Sequence, residues 1–124
     1  MEIAIFLPDH EKGLGGSKLA LLIHRSVEDA NISLFPMNEP MLNPLPLDLD
    51  AAFVLADDLE ALLTLEKLRI RAPTLPIIVV SHGPDFAMEG IRRQVAGYLI
   101  WPLETWDLRK IFMRTLKIED VLFI

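Results

Sequence analysis

The sequence predicts an α/β fold: three layers, with helices on both faces of a doubly wound, five-stranded parallel sheet. Three observations carry this. Ala51 to Asp58, read AAFVLADD, is an unbroken apolar run that stops at two carboxylates. A strand buried on both faces, with its carboxyl end opening onto a site, has that pattern. Apolar runs of strand length also alternate along the chain with segments of helical periodicity. Finally, 124 residues and 14.0 kDa fit one domain with a real core, for which right-handed crossovers leave few topologies.

In chain order, Glu2 to Leu7 is apolar and β-branched and stops at Pro8, so it reads as a central first strand. Pro8, Asp9, His10, Glu11 and Lys12 lead into Gly13-Leu14-Gly15-Gly16, a turn at the same sheet edge as Asp57. Ser17 suits an N-cap, and Leu19, Ile23, Val27 and Ala30 form one stripe of a helix reaching about Ala30. Asn31 to Phe35 is a short second strand. The stretch from Pro36 to Pro46, PMNEPMLNPLP, holds four prolines, so an extended or turn-rich connection is expected in place of a normal second helix. After the acid pair, Leu62, Leu65 and Leu68 give helical spacing from Leu59 to about Arg71, ended by Pro73.

Pro76 to Ser81 is a further buried strand finishing in a polar residue. Gly83-Pro84 turns the chain, Asp85 suits a cap, and Ala87, Ile91 and Val95 share one helical face that Gly97 would close as a C′ glycine. Gly97 to Ile100 is the fifth strand, stopped by Trp101-Pro102. A last helix starts near Thr105, with Glu104 and Asp107 at its positive end and Leu108, Ile111, Phe112 and Thr115 facing inward. Ile118 and Leu122 continue that spacing in an apolar terminus. The expectation is therefore a single domain over 1–124 that forms the N-terminal part of a longer protein, its last helix leading towards an effector domain.

Composition narrows the function classes. A formal charge of −6 and a pI near 4.9 repel phosphate backbones, so proteins or small ligands are expected as partners, and not nucleic acid. There is no cysteine, hence neither disulfide nor thiolate zinc site. The start MEIAIFL lacks a basic n-region, and no apolar run nears the ~20 residues of a membrane span, so a cytoplasmic location without membrane contact is expected.

Among candidate site residues, Asp57 reads two ways: as the carboxylate of a strand-end site, or, with Glu60 three residues on, as the start of a capping box. Gly13 to Ser17 faintly echoes a phosphate loop, but serine precedes lysine where that motif has the reverse, so a flexible turn is the simpler reading. His10, His24 and His82 lack metal-ligand spacing and read as structural or surface residues. Trp101 and Trp106 form either a contact patch or packing beside the core.

FVLAD (Phe53 to Asp57), PIIVVS (Pro76 to Ser81) and GYLIWPLE (Gly97 to Glu104) together resemble the phospho-acceptor, threonine/serine and lysine-proline strands of response-regulator receiver domains. The resemblance covers almost the whole chain and implies a flavodoxin-like, receiver-like fold. It further implies an acid pair and an acceptor aspartate holding magnesium, with a hydroxyl and a lysine holding the phosphoryl oxygens. Position by position, Asp9 matches one acid but Pro8 stands for the other; Asp57 matches the acceptor and Ser81 the hydroxyl. Trp101 replaces the lysine, while Pro102 is kept. His82 stands where the family has a small residue that admits the phosphoryl group, and the loop after Asp57 is short.

Without the lysine a charge-assisted contact of about 1.5 to 3 kcal/mol is missing. The resemblance with these departures implies an atypical, or pseudo-, receiver: not an enzyme, with weak magnesium binding and no required cofactor, acting by protein–protein contact with itself, an effector domain or a sensor protein. The implied signalling face carries Arg92, Tyr98, Trp106 and Arg109 and suits a homodimer. Two alternatives stand beside it: a receiver phosphorylated on Asp57, and a flavodoxin-like domain cradling a small ligand or nucleotide at Gly13 to Ser17.

Overall fold

The computed structural model describes residues 1–8, 14–37 and 48–115. Within them the strands β1 (Glu2–Leu7), β2 (Asn31–Pro36), β3 (Ala51–Leu55), β4 (Ile77–Ser81) and β5 (Gly97–Ile100) form one parallel sheet in the order β2-β1-β3-β4-β5. The helices are α1 (Leu14–Ser26), α2 (Leu59–Arg71), α3 (Ala87–Arg92) and α4 (Thr105–Thr115). The strand order reverses direction between β1 and β3, so the crevice for a ligand lies at the carboxyl ends of those strands. Asp57 follows β3 directly into that crevice.

Strand side chains alternate between two cores, as the two-residue period of a pleated strand requires. Ile3, Ile5, Phe53 and Ile78 face Leu19 and Ile23 of α1 and Leu108, Ile111 and Phe112 of α4. Ala4, Phe6, Val54 and Val79 face Ala61, Leu65 and Leu68 of α2 on the other side. Every residue of β3 and β4 is buried, which is why both read as continuous apolar runs rather than alternating ones. Phe53 and Phe112 meet edge to face at 6.0 Å between ring centroids, joining strand to helix.

Five local expectations are corrected. Gly15, Gly16 and Ser17 lie inside α1 rather than in a turn capped by Ser17. A Cβ on Gly16 would stand 3.2 Å from the Leu7 side chain, so the glycine lets α1 approach β1 closely. The same helix stops at Ser26 instead of Ala30, and Asp29, with φ of 57°, turns the chain towards β2. Asp85 does not cap α3, whose first flank is Phe86 with no side-chain cap bond. Of that short helix only Gly90 is buried, while Ile91 is exposed.

Gly97 is likewise no helix cap. It opens β5, and a Cβ there would collide with Ile111 of α4, whereas Gln94, with φ of 55°, makes the turn after α3. Pro36 closes β2 opposite Leu7. Most of the proline-rich stretch, together with Asp9 to Gly13 and the Ile118 to Leu122 continuation, lies outside the described residues. No helix among the described residues is long and apolar enough to cross a membrane.

Candidate functional site

The site is assembled where β3 and β4 end side by side. Their register pairs Leu55 with Val80, and Ala56 N–H donates to the Val80 carbonyl at 2.8 Å, so the next residues of each strand, Asp57 and Ser81, emerge together. Ser81 Oγ donates to Asp57 Oδ1 at 3.1 Å, and the His82 backbone N–H donates to the same oxygen at 2.9 Å. His82 Nδ1 lies 2.9 Å from Asp57 Oδ2. Burial pushes the Asp57 carboxyl up, but the hydrogen bonds from the His82 backbone and imidazole, the imidazole's charge and the Ser81 hydroxyl outweigh it and hold the group below its ordinary value. An ionised carboxylate only accepts, so the proton of the short contact sits on Nδ1.

This geometry decides the capping question. The residue flanking α2 is Asp58, extended and without a side-chain cap bond, whereas Asp57 turns its carboxylate back to β4. His82, read from sequence as structural or surface, is therefore the principal partner of Asp57. A signal for it was present: in parallel register the residue after Ser81 faces the residue after the apolar run of β3.

Trp101, at the position where the resemblance asks for a lysine, continues the ladder beside β4, its N–H donating to the Ser81 carbonyl at 2.9 Å. Its ring lies 6.3 Å from the His82 ring, tilted by 32°. The half-buried indole also packs on the α1/α4 core and walls a cavity of about 280 Å³ shared with Lys18, Leu21, Leu22, Pro102 and Leu103. The Trp101–Pro102 peptide is cis.

The other predicted residues separate into two groups. Trp106 is 58% exposed, with the Lys110 ammonium 5.9 Å from its ring centroid, so it does not pack on the core. Arg92 is exposed and paired with Glu89 at 3.3 Å, and Arg109 is half-buried on α4. Tyr98 differs from these: its ring packs into the α2-side core and its hydroxyl donates to the Gly83 carbonyl at 2.6 Å, tying β5 to the loop that carries His82.

Magnesium has little to hold it among the described residues. Both Asp57 oxygens already accept hydrogen bonds, the position before Asp9 is a proline, Asp9 itself lies outside the described residues, and no three His, Asp or Glu side chains there converge on a common point.

No protein-family model matches the chain, and no curated protein matches it either. Solved structures do match. The response regulatory domain of protein mrkE from Klebsiella pneumoniae superposes with a TM-score of 0.73 at 16% identity, covering 93% of this chain and 94% of that one. A response regulator receiver protein from Pseudoalteromonas atlantica gives 0.71 at 22%, over 90% and 95%. A putative pilus assembly protein (cpaE) from Burkholderia thailandensis gives 0.73 at 22%, over 93% and 97%. The chain has the flavodoxin-like fold of response-regulator receiver domains.

Proposed function

We propose that the chain is a regulatory module of two-component type that works by protein–protein contact and without normal aspartyl phosphorylation. The observation that carries this reading is the state of Asp57: all three donors around it are spent on the carboxylate itself, and Trp101 offers no cation for phosphoryl oxygens. For Asp57 to attack a phosphoryl group it would have to give up the His82 contact and develop charge with no lysine beside it, losing interactions of about 1.5 to 3 kcal/mol each. The reading needs no cofactor and no enzymatic activity, and places the module in the cytoplasm with protein partners.

The partner surface we assign is β5 with its flanking helices α3 and α4. Ile91, Ile100 and Trp106 are exposed there beside Arg92 and Lys110, the mixture of apolar, aromatic and cationic groups that interfaces favour. The Tyr98 hydroxyl, held on Gly83, supports a face kept in one conformation. The nucleotide-cradle alternative is weaker, because Gly15 to Ser17 are helical rather than looped. The deciding experiment is acetyl phosphate with magnesium, followed by peptide mapping. We expect no hydroxylamine-labile phosphoryl group on the Asp57 peptide; finding one overturns the reading.

A further inference from the structure

Among the described residues, the group left available at this sheet edge is not a carboxylate but the far nitrogen of an imidazole. With Nδ1–H donating to Asp57 Oδ2 at 2.9 Å, the neutral form of the His82 ring carries its lone pair on Nε2. The side chain is 65% exposed, and none of the hydrogen bonds among the described residues uses Nε2. Beside it, the Gly83 N–H makes only a long, 3.4 Å bond to Ser81 Oγ, and a Cβ on Gly83 would meet nothing within 4 Å. A nucleophilic nitrogen oriented by a carboxylate thus stands next to a weakly held backbone donor in open space.

We propose that His82 Nε2 is a phosphoryl acceptor, with Asp57 as its positioning residue. The Nε2 lone pair attacks phosphorus of phosphoramidate in its N-protonated form; the donor's P–N bond breaks, and its electron pair leaves with the nitrogen as ammonia, so no proton has to come from the protein. The new Nε2–P bond makes the ring an imidazolium, its Nδ1 proton staying in the hydrogen bond to Asp57. The carboxylate opposes that positive charge, as the aspartate of a serine-histidine-aspartate triad does. The Gly83 N–H can exchange its long bond to Ser81 Oγ for one to a phosphoryl oxygen. A phosphoryl group is favoured over an acyl group because an acylimidazole in so exposed a position hydrolyses rapidly, whereas N-phosphohistidine persists. The inference goes beyond the interaction-module reading: a monomeric protein would end self-association and leave it untouched.

The test uses the whole chain and contains its own control. His24 is exposed on α1, and no hydrogen bond or ion pair among the described residues involves it. With potassium phosphoramidate and no metal, peptide mapping under alkaline conditions should show His82 labelled about tenfold or more faster than His24, the advantage a carboxylate gives an oriented imidazole. The adduct should be lost in mild acid and survive alkali, in which an aspartyl phosphate is hydrolysed. Asp57→Asn, if its circular dichroism shows it folded, should bring His82 down to the His24 rate, and His82→Gln should leave that peptide unlabelled. Equal labelling of the two histidines in wild type, or a hydroxylamine-labile adduct on Asp57 in place of the histidine adduct, overturns the proposal, and the wild-type comparison stands without either variant.

Discussion

Removing one guanidinium should loosen the junction between α2 and the turn after α3. Arg69 sits in the last turn of α2 and donates to five carbonyls: Nε to Arg93 at 3.2 Å, Nη1 to Ala72, Pro73 and Leu75 at 3.3, 3.0 and 2.9 Å, and Nη2 to Gln94 at 3.2 Å. Burial lowers its pKa, and no carboxylate pairs with it among the described residues, so its charge is balanced by backbone dipoles alone. The Pro73 and Gln94 bonds are exposed and water can replace them; those to Arg93, Ala72 and Leu75 are partly buried. The Ala72 carbonyl keeps the Leu75 N–H at 3.2 Å, so orphaning the two half-buried acceptors of Arg93 and Leu75 at about 1 kcal/mol each gives an expected loss near 2 kcal/mol for Arg69→Ala. A loss of that size lowers Tm by roughly 7 °C in a domain of this size. Arg69→Lys should recover less than half, since an ammonium cannot reproduce a planar fork with five donors. Urea unfolding followed by far-ultraviolet circular dichroism measures both. A loss below about 0.5 kcal/mol for the alanine variant, or full rescue by lysine, would refute the clamp.

Gly97→Ala should cost about 1 to 3 kcal/mol by driving Ile111 of α4 off β5, and pairing it with Ile111→Ala should cost clearly less than the sum of the single losses in the same unfolding assay. Because the folded state holds Asp57 below the ordinary value of 3.8, its contribution is complete above that value and lost as pH falls through the lower, folded one; Asp57→Asn should therefore flatten the acid limb of the stability curve, and an unchanged limb would contradict the hydrogen-bond geometry. For the partner surface, sedimentation at tens of micromolar should show a wild-type dimer that Trp106→Ala with Arg109→Glu converts to monomer. A wild type that is monomeric throughout removes self-association and leaves a different protein as partner.

Strands were legible because their burial is written as composition. Both β3 and β4 are buried on both faces and read as unbroken apolar runs, and α2 matched its leucine spacing from Leu59 to Arg71. Glycines were harder. Gly97 looked like a helix terminator, but its role is steric and set by a residue of α4 fourteen positions on, which no local rule reports. Asp85 had the chemistry of a cap without the placement. Arg69 was invisible because its acceptors are carbonyls, carried by every residue, brought together by two separate turns. In the site, Asp57 and Ser81 were visible as strand ends, while His82 required the register of β3 against β4 before its ring met a carboxylate.

Two of the departures from the receiver pattern, Trp101 and His82, then act on one atom group rather than separately. Without a lysine at 101, an ionised Asp57 at a partly buried strand end would lack a cation, a costly state for a carboxylate with few donors. His82 supplies two of the missing donors, one from its backbone and one from its ring. Trp101 then closes the side from which a lysine would have reached, its ring beside that of His82 and its body on the α1/α4 core. Each substitution makes the other tolerable: the histidine needs the carboxylate kept, the carboxylate needs the histidine, and the tryptophan is accommodated because no cation has to pass it. In the function proposed above the carboxylate orients rather than attacks, and on that reading Trp101→Lys alone should not restore an attacking Asp57 while His82 still occupies both of its oxygens.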